Sequence, residues 1–142
     1  MSRSGYYDDG DGDYWRWIMW RGAVKSAIRG KRGQALLKDI LATLDAMPMR
    51  RLIAHELETR GEVCALGAVG LSRGVRMAGI DPEDYGAVAN VFGISEALAR
   101  EIMFENDEGG SRRETPEQRF ERMRKWILSE IVDAGGAEPV AS

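Results

Sequence analysis

The sequence predicts a mainly α-helical protein, a single compact helical domain that opens with an antiparallel helical hairpin and has room for a short strand pair around residues 50–66. Three observations carry this reading. Apolar residues recur at three- and four-residue spacing over most of the 142 residues. Cap-type residues stand just ahead of several of these runs, and glycines or prolines close them.

The elements follow in order. Residues 1–13 are rich in Gly, Asp and Tyr and read as a flexible acidic tail. Residues 14–134 form the domain, and 135–142 read as a second flexible tail. From Tyr14, a first helix places Trp17, Trp20, Val24, Ala27 and Ile28 on one face. Arg21, Lys25 and Arg29 repeat every fourth residue on another face. Gly30-Lys31-Arg32-Gly33 breaks the pattern as a turn. Leu36, Leu37, Ile40, Leu41, Leu44 and Met47 then form a wide apolar stripe that Pro48 ends. A short turn between two amphipathic helices implies the antiparallel hairpin.

Residues 51–57 fit either a short strand or a helical turn. Gly61 separates them from Val63–Val69, small and apolar throughout, which reads as a buried helix. Asp81 followed by Pro82 reads as an N-cap with proline at the first helical position, opening a helix through Tyr85, Val88 and Val91. Gly93-Ile94 is a turn, Ser95 caps a helix to about Asn106, and Gly109 and Gly110 mark a loop. Thr115-Pro116-Glu117-Gln118 is a capping box. The helix it opens carries Phe120, Met123, Ile127 and Ile131 on one face.

Composition narrows the function classes. An apolar fraction of 44% and a charged fraction of 30% are ordinary for a folded globular chain. Cys64 is the single cysteine, so no internal disulfide can form, which fits a reducing compartment. No apolar run is long enough to span a bilayer. The acidic start is unlike a secretory signal, so the expectation is cytoplasmic, with no membrane partner. The net charge of −3 hides a segregation. Residues 14–51 carry nine Lys or Arg against two Asp, whereas 52–142 carry ten basic side chains against seventeen acidic ones. This pattern either steers an anionic partner to one face or draws the two halves together within the fold.

Several short patterns suggest chemistry. A Gly-x-x-Gly turn lets backbone amides approach phosphates, and Lys31 and Arg32 would neutralise them. With Ile28 before it and Leu36 after it, the turn has a local likeness to that of the KH domains, which bind single-stranded nucleic acid. An exposed basic turn is the simpler reading. Trp17 and Trp20 belong to the apolar face, which leaves Trp15 as the aromatic for an interface. Ala89, Gly93, Ile94, Ser95 and Ile102 are spaced like a helix-turn-helix, but Glu96, Glu101 and Glu105 against Arg100 alone would repel DNA. Glu101, Glu105, Asp107 and Glu108 lack the alternating ligands of a calcium loop and read as a solvated helix end. Cys64 and His55 could form a dyad, although Cys64 lies in an apolar segment where thiols are usually inert. No phosphate-binding loop, dinucleotide fingerprint or zinc-ligand set is present, so no enzyme, cofactor or metal is expected.

Taken as a set, Trp20-Arg21-Gly22-Ala23, Arg29-Gly30-Lys31-Arg32-Gly33-Gln34, Cys64-Ala65-Leu66-Gly67-Ala68 and Asn106-Asp107-Glu108 are similar to motifs in a group of small, uncharacterised phage and prophage proteins. With the Thr115 helix, the resemblance spans Ser2 to Trp126. It implies an accessory role in a bacterial host cell and no particular chemistry. The expected function is therefore non-enzymatic binding of a host or phage protein with an acidic patch, as in an inhibitor of a defence system. Nucleic-acid binding by the basic hairpin is the alternative. The candidate binding residues are Trp15, Arg21, Lys25, Arg29, Lys31 and Arg32; the oligomeric state is left open.

Overall fold

The structure, a computed structural model, describes residues 11–132, with side chains described from Tyr14 onward. Residues 1–10 and 133–142, which hold most of the two expected tails, lie outside the described residues. Helix α1 spans Asp11–Arg29 and α2 Lys31–Ala46. A minimal hairpin, β1 (Glu58–Thr59) and β2 (Glu62–Val63), leads into α3 (Ala65–Ser72), α4 (Tyr85–Phe92), α5 (Glu96–Glu108) and α6 (Pro116–Glu130). The protein is thus mainly helical, and the one small strand pair among the described residues lies inside the expected range. Helix α1 starts three residues before the expected domain boundary at Tyr14.

Helix α2 is the central element, packed against α3 and α6, while α1 lies on α5 and α4 on α5. Its stripe behaves as the periodicity requires. Leu36, Leu37, Ile40 and Leu44 are buried, and Leu41 and Met47 pack at the margin. Each buried Leu or Ile contributes about 1.5–3 kcal/mol relative to exposure. Val24 and Ile28 of α1 and Phe120, Met123, Ile127 and Ile131 at the end of the chain complete that core.

The joint between α1 and α2 differs from the expected four-residue turn. Gly30 alone is extended (φ −69°, ψ 163°), and Lys31, Arg32 and Gly33 already form the first turn of α2. Gly33 is buried, and a Cβ there would come within 2.0 Å of the Ala27 carbonyl oxygen. Its role is close helix packing, not loop flexibility. The buried amide of Gln34 fastens the same place. Nε2 donates to the carbonyls of Ile28 (2.8 Å) and Glu130 (3.0 Å), and Oε1 accepts from the Val132 amide (3.0 Å).

A second correction concerns α4. Asp81 opens a turn, its carboxylate accepting from the Glu83 amide (2.9 Å), and Asp84 is the N-cap, accepting from Ala87 (3.1 Å). Pro82 therefore lies in the turn rather than at the first helical position. Ser95 and Thr115 cap α5 and α6 as their sequences require, Thr115 in a full capping box with Gln118.

The segment 51–57 is neither strand nor helix. His55 has a positive φ of 70°, and the chain is held by bonds to distant side chains. Asn106, 1% exposed, is the hub. Its Oδ1 accepts from the Ala65 amide at the start of α3 (3.1 Å), and its Nδ2 donates to the Ile53 carbonyl (2.9 Å). Asp107 accepts from the His55 amide (2.9 Å). Helix α6 closes the other side. Arg119 donates to the carbonyls of Asn106 (3.0 Å) and Leu52 (3.1 Å), and Arg122 to those of Glu105 (2.6 Å) and Asn106 (3.2 Å). Two cations at the carboxyl end of α5 satisfy its last carbonyls and complement its dipole. Glu114 holds Arg122 with both oxygens, at 2.5 and 2.9 Å.

That pair sets a pH dependence. The Arg122 hydrogen bonds hold the Glu114 carboxyl below the usual glutamate value of 4.5, outweighing its burial. A lowered carboxylate contributes stability that is present above pH 4.5 and is lost as pH falls through its folded value. Glu114→Gln is expected to lower the thermal midpoint at neutral pH, with the gap to wild type narrowing below about pH 4.5. Melting curves taken across acid pH check this.

Candidate binding surface

The joint between α1 and α2 gathers four cations. Lys25 and Arg29 on the last turns of α1, and Lys31 and Arg32 on the first turn of α2, are all exposed. None of the four pairs with a carboxylate among the described residues. Elsewhere several arginines pair with carboxylates, while Arg60, Arg76, Arg112, Arg113 and Lys125 are also exposed without an ion pair among the described residues but are spread over the fold. Arg50 pairs with Glu121, Arg51 with Glu62, Arg73 with Asp39, Arg119 and Arg122 with Glu114, and Arg124 with Asp45. Four unneutralised charges at one corner make a local positive potential that attracts anions.

Beside this corner lies a cleft of about 420 Å³, lined by Ala27, Gly30, Lys31, Arg32, Ile94 and Ser95 among others. The first turns of both α2 and α5 border it, so two positive helix ends face the same space. Gly30 offers α2 no side-chain cap, whereas Ser95 caps α5 by accepting from Leu98 (3.1 Å). The expected Gly-x-x-Gly phosphate loop is corrected accordingly, because Gly33 lies inside a helix and cannot cradle a ligand with its backbone. Among the described residues no strand precedes α1, which also departs from the KH arrangement.

The other two candidates lie apart. Arg21 is half-buried and lies in the field of Glu105 on α5, so it serves charge balance within the fold. Burial, and then the neighbouring Glu101, raise the Glu105 carboxyl, with Arg122 and Arg21 opposing. Part of the charge segregation is thus resolved internally. Trp15 is 66% exposed, but fourteen residues of helix, about 21 Å, separate it from Arg29. Its neighbour one turn on is Met19, 72% exposed. Sequence reasoning missed Met19, although its spacing of four from Trp15 was the available signal.

The remaining patterns resolve into structure. Helices α4 and α5 meet at Gly93 (φ 67°) in a tight corner. Arg100, the only cation of α5, lies over the rings of Trp20 (4.6 Å) and Tyr85 (5.1 Å), so α5 presents no cation outward. No group of His, Cys, Asp or Glu among the described residues is arranged to hold a metal. An apolar groove of about 560 Å³ runs between α2, α3 and the hairpin, lined by Met47, Met49, Val63, Ala68 and Leu71 among others. Its two hydroxyls, Thr43 and Ser72, donate to carbonyls of their own helices, so it offers shape without chemistry. A polar recess of about 440 Å³ contains His55, Asp107, Ser111 and Arg112, with charges of both signs. No described helix is long and apolar enough to cross a membrane.

Cys64 is wholly buried and caps α3, its sulfur accepting from the Gly67 amide at 3.4 Å. Burial pushes its thiol up to about 12. The His55 side chain is mostly exposed and turned to Asp107, 3.9 Å away. The chain matches no protein-family model, no curated protein and no solved structure.

The thiol supplies a direct check. Because the thiolate is the reactive form, Cys64 is expected to react with a small disulfide reagent far more slowly in the native protein than after denaturation, at neutral pH. Native labelling as fast as that of the unfolded chain contradicts the burial.

Proposed function

We propose that the protein is a non-enzymatic, phage-type accessory protein that binds an acidic patch on a host or phage protein through the basic corner of Lys25, Arg29, Lys31 and Arg32. The observation that carries this reading is that four exposed cations, none paired with a carboxylate among the described residues, gather at the single joint between α1 and α2. Acting by occlusion requires no reactive group and suits an inhibitor of a host defence system in the bacterial cytoplasm. The buried thiol of Cys64 agrees with a role that does no chemistry.

Nucleic-acid binding draws on the same cations. Glu96, exposed and next in the chain to the cleft residue Ser95, sets a negative charge near the positive corner. That favours a bounded acidic patch over a continuous phosphate track.

The test is the double substitution Lys31→Glu, Arg32→Glu. Both positions face solvent, so stability is expected to stay within about 0.5 kcal/mol of wild type. Acidic residues on the first turn of α2 also suit its dipole. Affinity capture from the host with nuclease present is expected to recover a protein partner with wild type and to lose it with the variant. Recovery that vanishes on nuclease treatment supports nucleic acid instead. Undiminished capture by the variant places the binding surface elsewhere.

A further inference from the structure

The cleft beside the basic corner combines two kinds of surface. Lys31 and Arg32, both exposed, border it from the first turn of α2. Its inner lining includes Ala27, Ile94 and Leu98, whose side chains are apolar, and Ile94 and Leu98 belong to the core. The walls are fixed by packing. A Cβ at Gly33 would come within 3.1 Å of Leu98, so bare backbone holds α2 close to α5 here. Ser95 caps α5, and the Ile94 amide donates to the Ala89 carbonyl (3.1 Å). The other two recesses differ. The groove at Met49 is apolar with no charged side chain in its lining, and the recess at His55 holds charges of both signs. Of the three, this cleft alone joins an apolar lining to charge of one sign.

We infer that the cleft seats one apolar side chain of an acidic peptide segment, while carboxylates flanking that side chain meet Lys31 and Arg32. The inference rests on the reading of the corner as a binder of acidic protein, and adds what the partner must carry, a leucine-sized residue between acidic ones. Carboxylates alone would satisfy the cations and leave the apolar lining in contact with water. An apolar residue alone would cover the lining without gaining from the charge. An anchor in a pocket with complementary charge at its edge concentrates affinity in a few groups. The volume of about 420 Å³ gives room for such an anchor, not for a whole helix. Gly30, also in the lining, has an ordinary φ of −69°, and a Cβ there would meet only the Ser26 and Ala27 carbonyl oxygens, at 3.4 and 3.6 Å. The fold therefore tolerates a side chain at this position, and that side chain takes up space in the cleft.

The test compares short labelled peptides on the full chain by fluorescence anisotropy at low salt. One has a central leucine flanked by glutamates, a second has glycine in place of the leucine, and a third keeps the leucine between lysines. Wild type is expected to bind the leucine–glutamate peptide about tenfold tighter than the glycine one, the gain from burying part of a leucine side chain. The lysine-flanked peptide is expected not to bind. The methyl resonances of Ala27, Ile94 and Leu98 are expected to shift with the leucine–glutamate peptide and to stay still with the glycine one. Gly30→Leu is expected to remove the tenfold preference while both glutamate peptides still bind, with circular dichroism unchanged. Lys31→Glu with Arg32→Glu loses both peptides. Equal affinity of wild type for the two glutamate peptides, unmoved methyls, or a preference that survives Gly30→Leu each overturns the inference and leaves the reading of the corner standing. Tight binding of the lysine-flanked peptide also overturns it, because the lining then acts without the charge. Binding of no peptide overturns it too, and capture from the host then decides the reading of the corner on its own.

Discussion

The fold depends on one buried amide. The segment from Arg51 to Leu57 crosses the interior edge of the molecule without forming a helix or a ladder, so its polar groups need partners from elsewhere. Asn106 meets that need for the Ile53 carbonyl and the Ala65 amide at once. Its own carbonyl accepts from both Arg119 and Arg122. Each buried group left unmade would cost about 1–3 kcal/mol, so losing this side chain would release several attachments together. Helices α3, α5 and α6 keep their relative positions through it.

The same logic explains the motifs that prompted the phage-protein resemblance. Gly33 and Gln34 close the joint between α1, α2 and the end of α6. Cys64 caps α3, and Gly67 lies so close to the Leu57 carbonyl oxygen that a Cβ would come within 1.8 Å of it. Asn106 and Asp107 hold the irregular segment. These residues build the scaffold, and most say nothing about what the protein binds. Arg29, Lys31 and Arg32 are the exceptions, because they belong to a motif yet are exposed and pair with no carboxylate among the described residues. The functional surface is therefore sought where the structural requirements end.

Much of the architecture was legible because it is written in local periodicity. The α2 stripe, the Ser95 cap and the Thr115 capping box each depend on residues within a turn or two. Three features were not legible for a physical reason. Residues 51–57 have no period of their own and are shaped by Asn106 and Arg119, more than fifty residues away. Asp81-Pro82 fits a turn as well as a helix start, and only the side chain of Asp84 decides between them. Two glycines three residues apart look alike in sequence whether they bend the chain or admit a neighbour. Gly30 does the first and Gly33 the second. Of the candidate site, Lys25, Arg29, Lys31 and Arg32 come together at one corner, while Arg21 is half-buried within the field of Glu105 and Trp15 lies at the far end of α1.

The division between a motif-built scaffold and a charge-built surface is the central claim, and backbone amide shifts test it most directly. Titrating the isotope-labelled full chain with a short polyglutamate peptide at low salt is predicted to move the amides of residues 25–33 and 95–97. Those around Asn106 and Cys64 should stay still, and the effect should fade as salt rises. Shifts centred on the His55 recess or the Met49 groove, with the α1–α2 corner unmoved, would contradict the account.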